Sequence, residues 1–166
     1  NCDIGVEVAT EHSPDDNELF KVSGINVHDN VIADCTGWAG IVFGGYDKDL
    51  GFTEDCVFDY NTLIDNVYQI VVQRSQNNRV CSNLILGGEE GIHFEYLVWG
   101  DSLVNEISGN AASGIMNEES WSEVFGTVYP DRSETKDGFR SLVEDTGSRF
   151  VPDKEMTAVY KAQITR

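Results

Sequence analysis

An all-β fold of stacked parallel coils, a parallel β-helix, is what this sequence predicts, and three observations carry the prediction. The segments Asn30-Val31-Ile32, Asn61-Thr62-Leu63 and Asn83-Leu84-Ile85 align, followed by a fainter Asn105-Glu106-Ile107. From Asn30 to Asn61 is 31 residues, and from Asn61 to Asn83 and from Asn83 to Asn105 is 22 each. A second landmark follows each Asn: Gly40-Ile41-Val42, Gln69-Ile70-Val71, Gly91-Ile92-His93 and Gly114-Ile115-Met116. The third observation is that the runs between turn residues are short and β-branched, with no helical periodicity. Self-similarity at a fixed period marks stacked units sharing one core. The alternative, a β-sandwich with coincidental spacing, needs both landmarks to recur together by chance.

The elements follow in order. Asn1-Cys2-Asp3-Ile4 runs directly into Gly5-Val6-Glu7-Val8, a Gly-Ile-type segment with no preceding half. A first coil without a cover would expose core and strand edge. The chain is therefore expected to be the C-terminal part of a longer protein, whose missing N-terminal part would be its partner. Glu11 to Glu18 is a polar loop leaving after Val8, and Gly44 to Thr53 is a second, leaving after Phe43. Both leave the same strand of successive coils, so they should project side by side, as insertions in repeat folds do on a binding face. Within each coil, Asn suits the left-handed bend, and stacked Asn amides can bond from coil to coil. Val6, Ile41, Ile70, Ile92 and Ile115 are expected to point inward, then Val8, Phe43, Val72, Phe94 and Asn117, with the residues between them outward.

Residues 1–120 are thus read as about five coils, with Ile41, Ile70, Ile92 and Ile115 in one interior column. Residues 121–166 are read as a mixed capping segment, with a short helix around Lys136 to Glu144 and a final strand near Ala158 to Ile164. Phe139, Leu142, Val143 and Phe150 would give this cap its apolar face.

The motifs Gly5-Val6-Glu7-Val8-Ala9-Thr10-Glu11-His12, Gly40 to Asp47 and Thr53-Glu54-Asp55-Cys56-Val57-Phe58 resemble secreted bacterial right-handed parallel β-helix proteins of the pectate-lyase-like superfamily. The resemblance covers about residues 1 to 120. It implies a right-handed coil, secretion or cell-surface display, and most often polysaccharide lyases, glycoside hydrolases or epimerases. Adhesins and phage tailspikes share the fold, so the resemblance speaks to architecture more than to chemistry.

Composition narrows the partners. The net charge is −18, from 11 basic and 29 acidic residues, which repels nucleic acid and anionic membranes. It also disfavours a polyanionic polysaccharide unless calcium bridges the charges; for most of these carboxylates plain solubility is sufficient reason. Neither a signal peptide nor an apolar run of membrane-spanning length is visible. Cys2, Cys35, Cys56 and Cys81 lack metal-ligand spacing and read as buried thiols acting as small hydrophobes, with one disulfide open to a secreted protein.

Chemistry is expected on the outward side of the strand that bears the loops. Its first outward row is Glu7, Val42, Val71, His93 and Met116, and its second is Ala9, Gly44, Gln73, Glu95 and Glu118. Glu11, His12, Tyr46, Asp47 and Arg74 lie just beyond. Coils stack about 4.8 Å apart, so one row can offer the carboxylate pairs of retaining glycosidases at roughly 5 Å or of inverting ones at roughly 6.5–9.5 Å. Glu11, Asp47 and Glu95, with His12, are the catalytic candidates for hydrolysis of a polysaccharide or oligosaccharide. Glu7, Tyr46, Gln73, Arg74 and His93 are the substrate-binding candidates, and the two glycines before Tyr46 would let a ligand approach closely. Asp47, Asp49 and Glu54 form a candidate calcium set without an EF-hand pattern. Two alternatives stay open: a calcium-assisted lyase leaning on Lys48, Arg74 or His12, and a non-catalytic glycan-binding or surface-spacer β-helix. Each candidate also has a plain structural reading: Glu11-His12 as the start of a solvated loop, Asp47 as a turn residue, Arg74 as a counter-charge.

Overall fold

A computed structural model of the chain describes residues 2–10, 20–45, 51–73, 75–94, 105–115, 143–146 and 149–150. Strand β1 (Ile4–Thr10) precedes a turn formed by β2 (Phe20–Ser23), β3 (Asn26–His28), β4 (Val31–Ala33) and β5 (Ala39–Gly45). The next turn is β6 (Gly51–Glu54), β7 (Val57–Asp59), β8 (Thr62–Ile64) and β9 (Tyr68–Val72), and the third is β10 (Ser75–Gln76), β11 (Arg79–Cys81), β12 (Leu84–Leu86) and β13 (Glu90–Phe94). Then come β14 (Asn105–Ser108), β15 (Ala111–Ser113), β16 (Val143–Thr146) and β17 (Arg149–Phe150). Corresponding strands of successive turns pair side by side in four sheets, ordered β1-β5-β9-β13, β10-β6-β2, β16-β14-β11-β7-β3 and β17-β15-β12-β8-β4. Every described pairing is parallel, which rules out hairpin-linked sandwich strands and is consistent with a parallel β-helix.

The corners explain the repeat. Gly24, Asp29 and Asp34 follow one another at five-residue intervals, as do Asp55, Tyr60 and Asp65, then Asn77, Ser82 and Gly87, and all nine have positive φ. Asp29, Tyr60 and Ser82 sit at φ 55°, 55° and 56°, a left-handed bend that Asp and Asn tolerate better than most residues. The residue after each of these three is an Asn, and these Asn side chains form a ladder. Asn61 donates its backbone N–H and its Nδ2 to Asn83 Oδ1 at 3.0 and 3.1 Å, and its Nδ2 also reaches Val27 O at 2.9 Å. Asn83 repeats the pattern on Asn110 Oδ1, at 2.9 Å from both nitrogens, with Nδ2 also reaching Phe58 O at 3.0 Å. A buried polar side chain is tolerable here because nearly all of its donors and acceptors are met.

Two alignments read from the sequence are corrected by these contacts. Asn105 does not continue the ladder of Asn30, Asn61 and Asn83; Asn110 does, 27 residues after Asn83. Asn105 instead lies one corner earlier, accepting from Asn78, which accepts in turn from the Cys56 N–H. The additional residues of this longer turn fall between Phe94 and Asn105. Likewise Gly114, at φ 66°, is a corner stacked on Gly87, so Ile115 is buried in the core but outside the column of Ile41, Ile70 and Ile92. Gly114-Ile115 repeats the Gly-Ile motif in sequence, whereas the register follows the corners.

Inside the coil, side chains stack in columns. Ile41, Ile70 and Ile92 form one; Val27, Phe58, Val80 and Ile107 a second; Ile32, Leu63, Ile85 and Ala112 a third. Phe43 and Phe58 stack across the interior with centroids 4.2 Å apart. Each such aliphatic or aromatic chain contributes about 1.5–3 kcal/mol by leaving water. The helix expected around Lys136 to Glu144 is also corrected at its end: Val143 and Glu144 open β16, which pairs with β14. Together with β17 on β15, this strand continues two of the sheets past residue 120. Phe139, Leu142 and the strand expected near Ala158 to Ile164 lie outside the described residues.

Candidate functional site

The long sheet β1-β5-β9-β13 does not alternate strictly, and this decides what its outer face presents. A side chain at Gly40 would meet Leu63 in the core at 2.9 Å, so Gly40 and Ile41 both face inward, a break in alternation that leaves the one-to-one register with both neighbouring strands intact. Residues three apart therefore share the outer face: Ala39 with Val42, Tyr68 with Val71, and Glu90 with His93. Ala39, Val42 and Val71 are buried there with Ile4, Trp38 and Tyr68 packed against them, so much of the face expected to be open to substrate is enclosed. Glu7, the register partner of Val42, is exposed.

At the β13 end of this face lies a cluster of side chains. His93 is 6% exposed, its Nδ1 lies 2.8 Å from Glu90 Oε2, and its ring stacks on Tyr68 with centroids 4.3 Å apart. A carboxylate on one imidazole nitrogen fixes the ring's orientation and tautomer. His93 was legible as a candidate; Glu90 and Tyr68 were not, because a strict period of two assigned them to the wrong face.

The strand ends form a second locus. Thr10 pairs with Gly45 and Ala9 with Gly44, while the Gln73 N–H donates to Phe43 O at 2.8 Å. Gly44 has φ 131°, and a Cβ there would lie 2.6 Å from the Gln73 backbone carbon, so only glycine lets these strand ends stack. Thr53 Oγ1 closes the rim from the next sheet by donating to Val8 O at 3.0 Å. Gln73 is fully buried, and Thr10, 8% exposed, is buried with a hydroxyl that has no hydrogen-bond partner among the described residues. Glu11, His12, Tyr46, Asp47, Arg74 and Glu95 lie outside the described residues; in the chain they directly follow this rim.

Of the calcium set, Asp47 and Asp49 lie outside the described residues and Glu54 is engaged. Its Oε1 pairs with Lys21 Nζ at 2.5 Å and its Oε2 accepts from Gln76 Nε2 at 2.9 Å. The Lys21 hydrogen bond, then that of Gln76, holds the Glu54 carboxyl below its ordinary range. Among the described residues no three His, Cys, Asp or Glu side chains are placed to share a metal. A depression of about 360 Å³ opens elsewhere, at the corner lined by Asp65, Asn66, Gly87, Gly88, Glu89 and Gly114. The chain matches no family model, no curated protein and no solved structure.

Proposed function

We propose that the chain is a carbohydrate-active, right-handed parallel β-helix of the pectate-lyase-like kind, exported or displayed at a cell surface, that hydrolyses glycosidic bonds. The observation supporting this reading is the rim of the long sheet. Thr10 and Gly45 are register partners, so the segments that begin Glu11-His12 and Tyr46-Asp47 leave from adjacent strands. One carboxyl of the Glu11 and Asp47 pair would donate a proton to the leaving oxygen while the other acts on the anomeric carbon or on water. Glu95, next in the chain after Phe94 at the end of β13, is the third candidate acid. The segment 121–166, in which β16 and β17 extend two of the sheets, is proposed to cap the coil. The partner is a glycan, since the net charge of −18 disfavours nucleic acid.

A second reading, elimination from a uronate-containing glycan, is favoured by one specific observation: an imidazole, His93, oriented by Glu90 beside Tyr68 on this sheet. The two separate in one experiment. Glu11→Gln, Asp47→Asn and His93→Gln are assayed on neutral and uronate glycans for reducing ends and for the ultraviolet absorbance of an unsaturated product. Hydrolysis predicts that the first two each lower turnover about 10²–10⁴-fold with little change in melting temperature. Loss confined to His93→Gln with unsaturated product supports elimination, and full activity in both Glu11→Gln and Asp47→Asn overturns the proposal.

A further inference from the structure

We infer that Cys2 and Cys35 are a disulfide-forming pair, a modification site that ties the first described strand to a corner of the following turn. Their sulfurs lie 3.1 Å apart, in contact across 33 residues of sequence. The backbones that carry them are held in place independently of the sulfurs. Asp3 O accepts from the N–H groups of Trp38 and Ala39 at 2.9 and 3.0 Å, and the Cys35 N–H donates to Asn66 Oδ1 at 3.0 Å. Two glycines make the approach possible. A Cβ at Gly37 would lie 2.8 Å from Asp3 Cα, and one at Gly5 would lie 3.2 Å from Cys35 Sγ. Bringing the sulfurs to the bonded distance of about 2.05 Å takes a shift of about 1 Å, which the exposed Cys2 side chain can supply.

The two thiols have different roles. Cys2 is exposed and Cys35 buried, and burial followed by the Cys2 contact pushes the Cys35 thiol up to about 11. Cys2 therefore meets the oxidant first. Its thiolate attacks a low-molecular-weight disulfide such as oxidised glutathione, whose S–S bond breaks with release of one glutathione thiolate and leaves a mixed disulfide on Cys2. Cys35 then gives its proton to solvent and attacks Cys2 Sγ, displacing the second glutathione thiolate. The protein loses two electrons and two protons, and the glutathione disulfide becomes two thiols. Cys56 and Cys81 are buried elsewhere, with Cys56 Sγ 3.2 Å from Glu54 O and Cys81 Sγ 4.0 Å from Arg79 Nη2. The pair is independent of which glycan chemistry the rim performs.

The test oxidises the full chain with glutathione disulfide, alkylates the remaining thiols under native and then unfolding conditions, and maps unreduced peptides by mass spectrometry. The expected result is a Cys2–Cys35 linked peptide, Cys56 and Cys81 alkylated only after unfolding, and a melting temperature several degrees above that of the reduced chain. Cys2→Ser should abolish both the link and the shift, and its exposed position lets the variant fold. A Cys2 that stops at the glutathione mixed disulfide, a link through Cys56 or Cys81, or a melting temperature unchanged by oxidation overturns the assignment.

Discussion

Replacing Asn83 by alanine should be among the most damaging polar-to-alanine changes in this chain, although no apolar contact is lost. Asn83 is fully buried, and its amide holds both neighbours. Its Oδ1 accepts from the backbone N–H and the Nδ2 of Asn61, and its Nδ2 donates to Phe58 O and Asn110 Oδ1. Truncation removes the partner of the Asn61 N–H, of one hydrogen of Asn61 Nδ2 and of one site on Phe58 O, all in the buried interior. At about 1–3 kcal/mol for each stranded buried group, with some relaxation, the loss is about 3–5 kcal/mol. Asn30 holds the same corner one turn earlier but is exposed, with Nδ2 on His28 O and Asn61 Oδ1, so groups stranded by Asn30→Ala can hydrate. That change should cost about 0.5 kcal/mol. In urea titrations followed by circular dichroism, a slope near 2 kcal/mol per molar converts the Asn83→Ala loss into a midpoint shift of about 1.5–2.5 M. Asn83→Asp should be at least as damaging, because it removes both donors and buries a carboxylate against Asn110 Oδ1. Equal, small midpoint shifts for Asn83→Ala and Asn30→Ala would refute the ladder as a source of stability.

Two further predictions use the same logic. Gly44→Ala should cost about 3 kcal/mol or more, because its positive φ and its contact with the Gln73 backbone leave no relief, whereas Gly24→Ala should cost about 1–2 kcal/mol. Gly24 has φ 71° but open space around a Cβ, so thermal melts that rank the two equally would show that steric closeness at the rim is not limiting. The Glu54 carboxyl is held below its ordinary value by Lys21 and Gln76, so the folded state binds its proton less readily than the unfolded chain. Its stabilising contribution is present at neutral pH and fades as pH falls through the folded-state value. Glu54→Gln should therefore melt below the parent at neutral pH, with the gap closing in acid and narrowing in salt; a pH-independent gap would exclude the ion pair as its cause.

Much of the architecture was legible because it is local. An Asp or Asn in the left-handed region followed by Asn is a chain-level instruction to bend, and its recurrence at Asp29-Asn30 and Asp65-Asn66, with Asn61 and Asn83 at the equivalent corner, announces stacked turns. The interior columns of Ile41, Ile70 and Ile92 were equally plain, since identical residues at one register bury identical surface. Register in the last turn was not legible: Asn105 and Asn110 are both plausible ladder members, and only the cross-turn bonds from Asn78 and Asn83 choose between them.

The candidate site divides in the same way. The sequence by itself put His93 on the outer face, through a period of two, and the two glycine-bearing or polar segments on one strand edge, through the repeat. Only the tertiary structure decided that Glu90 and Tyr68 join His93, that Val42 and Val71 are enclosed, and that Glu54 turns to Lys21. The physical reason is the break in alternation at Gly40 and Ile41, which both face inward. Two successive inward residues put positions three apart on the outer face of a strand, and because the register between turns is kept, Tyr68 and Glu90 lie in one row and Val71 and His93 in the next. Local preference sets where the chain bends; which side chains then share a face is fixed by packing between turns.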